Sequence, residues 1–352
     1  MKAYFIVADT RYYASVFAKI EALSAIERLV LPRASIGSSK LGTVARLALH
    51  ESRDTFKLLP LALRNGKHHT VFVCSTSQYA ALLSARLATL LGARTDVFLF
   101  NFYLHELGLL FPVRLILRAL LSGRVGLVVQ SPGEVDYYSS LAPKATVTYQ
   151  PRGWAPIAPS GIGVKTEDYV FSGGYTNRDY DLYVAAAELL SPIPFVLACA
   201  TANRVPAVVP ANLRIIRDCS TTEFHRLMGA ARLVVLPLKK DVGSSGQMVA
   251  LAAMQLAKCV IYTDIPVVGQ YFSDGQTGIA CPIGDLDRLV ALIARWYPDE
   301  LGAERIGRGA RVVADQVFSP EAFESEVARR AVEFLGAEHG SRQPSTLSLI
   351  HI

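Results

Sequence analysis

Leu233–Asp264 reads "LVVLPLKKDVGSSGQMVALAAMQLAKCVIYTD" and changes character three times. A short uncharged apolar run ends at Leu238, a polar turn follows, a run of good helix formers starts near Gln247, and a second apolar run closes on Thr263-Asp264. Strand, helix, strand in that order is the unit of a parallel sheet, and strands without polar alternation suit a sheet covered on both faces. The turn holds Lys239, Lys240, Gly243, Ser244, Ser245 and Gly246. The first N–H groups of a helix have no internal partners and the helix dipole is positive there, so a phosphate or diphosphate is a natural occupant. The competing reading is structural: Ser244 or Ser245 caps the helix and the glycines turn the chain.

The same alternation runs outward in both directions. "YFIVAD", "TVFVCS", "DVFLFNF", "GLVVQS" and "ATVTYQ" read as strands of a first domain, with "SVFAKIEALSAIERL" and "QYAALLSARLATLLG" as helices between them. "PRGWAPIAPSGIGVKTE", Pro151–Glu167, is rich in Pro and Gly and reads as a linker. Beyond it "DYVFSGG", "PFVLACA", "LRIIRDC", "LVVLPL", "CVIYTD" and "TGIACP" restart the series. The prediction is α/β throughout: two Rossmann-like, doubly wound parallel-sheet domains facing across a cleft, 1–155 and 156–318. A C-terminal helix over 319–338, with Ser319 as N-cap and Pro320 at its first position, is expected to pack back on the first domain. Residues 339–352 are expected to be disordered or artefactual.

With 352 residues, 51% hydrophobic and 19% charged, the chain buries sizeable cores and is not disordered. "MKAYFIVAD" lacks the long apolar core and cleavage site of a secretory leader, and no uncharged run reaches bilayer-spanning length. The five cysteines are odd in number and scattered, which fits reduced thiols in a cytoplasmic protein. The net charge of +6 is uneven. Up to Ala155 there are eighteen Lys and Arg against nine Asp and Glu, a net of +9; beyond it eighteen stand against twenty-one, a net of −3. The first domain is therefore expected to face something anionic. No basic run interleaved with aromatics marks a nucleic-acid groove. "LGLLFPVRLILRALLSGR" places Leu109, Leu110, Val113, Ile116, Leu117, Leu120 and Leu121 on one face with Arg114 and Arg118 beside it. That pattern suits either an interfacial membrane helix or a core helix.

A second candidate loop, "VFSGGYTNRDYD", runs from Val170 to Asp181. Gly173 and Gly174 permit close backbone approach, and Arg178 carries a guanidinium suited to forked contacts with phosphate. Alternatively, Asn177 caps the next helix and Arg178 pairs with a surface carboxylate. No G-x-G-x-x-G dinucleotide fingerprint follows a strand, and no Walker lysine motif occurs.

With both loops in place, the second domain resembles the GT-B glycosyltransferases, most closely the family-4-like retaining, group 1 type. The elements that carry the resemblance are the glycine turn with Arg178, the "Pro-Leu, small-residue loop, LAAM, Thr-Asp" series from Leu236 to Asp264, and "DGQTGIACPIGDLDRLVALI" after it. The resemblance implies that Gly173, Gly174, Arg178, Lys239, Ser244, Ser245, Gly246 and Gln247 hold the diphosphate of a UDP- or GDP-sugar. It implies metal-independent transfer, with retention of configuration, to a lipid-linked or carbohydrate acceptor, and no cofactor beyond the donor substrate. Arg178 and His105, the latter in "FLFNFYLHELG", are the catalytic candidates. The chain departs from the family in one respect. Both glutamates of its E-x7-E pattern are replaced, by Ser244 and Ala252, so Gln247, Asp241 or Glu223 is left to contact the ribose hydroxyls. Two other readings stay open: a degenerate non-catalytic nucleotide-binding or partner subunit, and a sugar-nucleotide 2-epimerase.

Overall fold

The computed structural model describes residues 2–7, 13–21, 26–31, 40–64, 69–100, 102, 111–153, 157, 161, 163–240 and 245–336. The chain divides into two units: the residues up to Gln150 together with those from Phe323 on, and Pro151–Ala322.

The first unit is built on six parallel strands, β1 (Lys2–Val7), β2 (Ile26–Val30), β3 (Thr70–Cys74), β4 (Thr95–Phe100), β5 (Val125–Val129) and β6 (Thr146–Tyr149), in the order β2-β1-β3-β4-β5-β6. The central strands are buried almost along their whole length and mostly apolar, because helices cover both faces. On one face lie α2 (Lys40–Arg64), α3 (Gln78–Leu90), α4 (Phe111–Leu120) and α5 (Pro132–Leu141), packing Leu58, Ala81, Leu117 and Tyr138 against Phe72, Leu99 and Leu127. On the other face lie α1 (Ala14–Glu21) and α12 (Pro320–Gly336), whose Val327, Ala331 and Phe334 meet Phe5, Phe98 and Val128. Gly126 of β5 makes room for this helix, since a Cβ there would stand 2.7 Å from Phe98 and 2.9 Å from Phe334. Ser319 Oγ accepts the Ala322 N–H at the start of α12.

The second unit repeats the plan with β7 (Val170–Gly174), β8 (Phe195–Cys199), β9 (Leu213–Arg217), β10 (Leu233–Leu236), β11 (Val260–Thr263) and β12 (Ile279–Cys281), all parallel, ordered β12-β11-β10-β7-β8-β9. One face is covered by α6 (Tyr180–Leu189) and α10 (Leu286–Trp296), the other by α7 (Thr221–Ala230), α8 (Gln247–Gln255) and the short α9 (Pro266–Gly269). Helix α11 (Glu300–Val317) packs on α8. The doubly wound α/β architecture expected from the alternation is present in both units.

Two local expectations are corrected. "SVFAKIEALSAIERL" is not one helix: it divides into α1 and β2, and Ile26–Val30 pairs in parallel with Ala3–Val7 at the sheet edge. Its apolar spacing serves a helix, but Ile26, Leu29 and Val30 find ladder partners on β1, and that tertiary pairing overrides local preference. In α4, Leu117 and Leu121 are buried while Ile116 lies 59% exposed, so the apolar face is narrower than its spacing suggested. Arg124 turns inward, donating to Asp96 (2.8 Å) and to the Phe334 carbonyl (2.6 Å).

Candidate functional site

In the second sheet the chain winds outward from β7 through β8 to β9, then restarts beside β7 with β10 and winds the other way. The crevice beyond the carboxyl ends of β7 and β10 is thus a topological switch point, where open α/β sheets bind ligands. The two candidate loops leave from these two strands. They are stitched to each other by backbone: Asp179 N–H donates to Pro237 O (3.0 Å), Lys239 N–H to Asn177 O (3.1 Å), and the Asn177 side chain to Lys240 O (2.6 Å). Arg178 and Leu238 form an antiparallel bridge between the loops.

Arg178 lies 8% exposed at this junction. Its Nε donates to Gly173 O (3.0 Å) and its Nη1 to Thr176 O (2.6 Å). Among the described residues it has no carboxylate partner, which departs from the surface ion pair of the alternative reading. Burial lowers its pKa from 12.5 to about 10, with Tyr180 opposing. A cation held dry by carbonyl dipoles alone is under-compensated and is a receptor for an anion. Gly174, at φ +121°, sits directly under the guanidinium; a Cβ there would strike it. Gly173 serves packing, since its Cβ would meet Phe224 (2.5 Å) and Ala198 O (2.9 Å). The Tyr180 hydroxyl donates to Gly174 O (2.6 Å) and fixes the turn. The cap of α6 is Asp179, whose carboxylate accepts the Leu182 N–H (3.2 Å), not Asn177. Asn177 adopts φ +58° instead, a left-handed conformation tolerated by its short polar side chain.

The second loop meets α8 at Gly246, the N-cap, with φ +92°. Glycine has no side chain to cap with. The capping alternative therefore fails for Ser245, which is buried one position earlier; Ser244 lies outside the described residues. A Cβ on Gly246 would meet Leu238 and Val268 at 3.0 Å each, so Leu238 touches both loops. Thr263, in the Thr-Asp pair after β11, holds this corner: its hydroxyl accepts the Leu238 N–H (2.8 Å) and donates to Leu236 O (3.3 Å). Gln247 is buried at the first turn of α8.

The remaining candidates separate from this cluster. Lys239 points to the surface, where its ammonium pairs with Asp181 (3.0 Å). Glu223 spends both carboxylate oxygens on Arg226, at 2.8 Å each. Ala252 is buried in the apolar cluster beneath α8. Asp241 and the first-domain candidate His105 lie outside the described residues. His50, which has no evident partner in the sequence, pairs through Nδ1 with Asp54 one turn later (3.3 Å). The sequence reading missed Leu238, Thr263 and Tyr180; their signal is positional, because each closes or follows a strand end at the switch point.

The profile of the family described as Glycosyl transferases group 1 matches residues 192–313. That segment of the chain is similar to the group 1 glycosyltransferases. It is 28% identical over 131 residues to the glycogen synthases of two strains of Mycobacterium tuberculosis, CDC 1551 / Oshkosh and ATCC 25618 / H37Rv. That stretch is 37% of this chain, and it spans 30% of the length of those relatives. Sucrose-phosphate synthase (tll1590) from Thermosynechococcus elongatus superposes with a TM-score of 0.67 at 12% identity, over 96% of this chain and 100% of that one. Anabaena Alr3699/HepE in complex with UDP-glucose gives 0.64 at 16% identity, over 95% and 100%. These likenesses show the GT-B fold. The family match covers the Pro-Leu loop, Gly246, α8 and Thr263. The Gly173–Arg178 turn lies just ahead of it.

Proposed function

We propose that the protein transfers a sugar from a nucleotide-diphosphate sugar to an acceptor hydroxyl. The observation that carries this reading is Arg178, a buried cation with no carboxylate partner among the described residues, standing at the switch point beside the N-terminus of α8, whose N-cap is a glycine. In the reaction the acceptor oxygen bonds to the anomeric carbon, and the bond from that carbon to the diphosphate oxygen breaks. The electron pair leaves on the diphosphate, and the acceptor proton passes to it. Arg178 and the N–H groups at the start of α8 neutralise that developing charge from fixed positions, so they need no reorganisation as the bond breaks.

A front-face reaction of this kind retains configuration and needs no strong protein base. The cationic and N–H donors take the place of a metal ion at the diphosphate. Ser245, Gly246 and Gln247 complete the donor site, and Ser244 and His105 belong to the same proposal as donor-loop and acceptor-side residues. The donor is a UDP- or GDP-sugar; the Anabaena structure, whose chain binds UDP-glucose, supports a nucleotide-sugar donor. The acceptor is a lipid-linked intermediate of exopolysaccharide or lipopolysaccharide assembly, met at the cytoplasmic face of a membrane. No described helix is long and apolar enough to cross one.

The test is a panel of UDP- and GDP-sugars added to the purified protein with a membrane extract. Saturable binding and sugar transfer are expected. Arg178→Ala removes a charge-assisted contact of about 1.5–3 kcal/mol, so donor binding falls on the order of 10–100-fold. Unchanged binding in that variant, or no binding of any sugar nucleotide, overturns the proposal. Conversion of the sugar itself would select a 2-epimerase, and binding without turnover a non-catalytic subunit.

A further inference from the structure

Helix α2 is inside out in its charges. Its described acids both turn to the protein: Asp54, 2% exposed, accepts the Ser77 hydroxyl (2.6 Å), and Glu51 accepts the Ala80 N–H (2.7 Å). Burial holds the Glu51 carboxyl above its ordinary range. Meanwhile Leu49, Phe56 and Leu63, seven residues apart, stand 73%, 80% and 37% exposed along one stripe. Arg53, Lys57 and Arg64 are exposed between them. A surface helix normally keeps its carboxylates in water and its large apolar side chains inside. Here two carboxylates bear the cost of burial while three large apolar side chains bear that of exposure to water.

The neighbouring helices continue the pattern. Leu90 of α3 is 82% exposed, and Leu115 and Ile116 of α4 are 53% and 59% exposed, flanked by exposed Arg114 and Arg118. All three helices belong to the layer on one face of the first unit's sheet. Among the described residues from Leu49 to Arg118 the acids are Glu51, Asp54 and Asp96, and none is exposed. Asp96 is buried against Arg124 and His69.

We infer that the outer surface of α2, α3 and α4 docks on an anionic lipid bilayer, with Phe56 and the leucines of its stripe entering the interface and the arginines and Lys57 at the headgroups. Apolar residues seat in the interface and cations meet the negative surface, so one helix layer satisfies both terms. An acid-free basic face repels a second copy of itself across a two-fold axis, which disfavours self-association. A nucleic acid leaves the apolar stripe in water. The inference extends the lipid-linked acceptor proposed above, but its readout is independent of sugar transfer.

The experiment is flotation of the full chain with vesicles of phosphatidylcholine, with and without phosphatidylglycerol, at low and high salt. Binding is expected only to the anionic vesicles and weakens as salt rises. Arg53→Gln and Lys57→Gln each weaken it about fivefold. Phe56→Asp with Leu49→Asp abolishes it, and the exposure of both sites leaves folding, read by circular dichroism, unchanged. No flotation with anionic vesicles, equal flotation with neutral ones, or flotation indifferent to these substitutions overturns the inference. So does concentration-dependent self-association that Phe56→Asp removes, which would assign the face to a second copy. Sugar-nucleotide binding by the same proteins reads the donor site separately, so either proposal can fail while the other stands.

Discussion

Arg178 keeps its charge where water is excluded and only carbonyl oxygens face it. The fall of its pKa from 12.5 to about 10 corresponds to about 3 kcal/mol against the charged form. A buried cation of this kind is the group through which the proposed diphosphate contact is made. That Arg178 is a phosphate candidate was legible from a strand, two glycines and a basic residue in order; that it is buried was not, because its cover is supplied by the loop after β10, sixty positions on. Lys239 illustrates the converse: its place in the loop suggested phosphate, but its ammonium takes the nearer Asp181. Lys258, remote from this site, is a half-buried cation. Its Nζ donates to Ala231 O (2.9 Å), and burial lowers its pKa from 10.5 to about 8. The unfolded chain therefore holds this proton to higher pH than the folded one. Its penalty is full below about pH 8 and is relieved as pH rises from about 8 to 10.5. Thermal melts across that range are expected to show the wild type gaining up to about 3 kcal/mol relative to Lys258→Met. Parallel pH profiles of the two proteins would refute this.

At the scale of elements, α8 is positioned from behind. It ends on Ala257 at φ +53°, and Gly307 of α11 lies so close to the Ala257 carbonyl that a Cβ would collide with it. The contact sets the axial position of α8 and so of its N-terminus at the switch point. Gly307→Ala is expected to destabilise by about 1–3 kcal/mol through overpacking against backbone, whereas Ala257→Gly stabilises by about 1 kcal/mol by relieving a left-handed alanine. Urea midpoints of both variants check this; a stable Gly307→Ala protein would contradict the close approach. Most elements were legible in the sequence, including all six strands of the second unit and the start of α8. The failures share a cause. Ile26–Val30 was read within a helix because local spacing suits one, and the deciding ladder to β1 is a non-local partner. The exposed stripe of α2 escaped because periodicity reports an amphipathic helix and is silent on large apolar side chains outside its buried face.

Across the whole molecule the chain passes twice between units, at Gln150–Pro151 and at Ala322–Phe323. Its last described helix covers Phe5, Phe98 and Val128 with Phe323, Val327, Ala331 and Phe334. Each large side chain so buried contributes about 1.5–3 kcal/mol, and their sum is comparable to the whole stability of a domain. A chain ending at Phe318 is therefore expected to lose the first unit and keep the second. Limited proteolysis with mass spectrometry would show rapid cleavage within residues 1–150 and a protected 151–318 fragment; an intact first unit would refute it. The two-domain plan itself was legible, since two runs of strands and helices flank a Pro- and Gly-rich linker. The arrangement also sets an order of maturation during synthesis. One face of the first sheet is covered only by α1 until α12 has left the ribosome, so the half of the chain translated first completes its core last, after the second unit has been made.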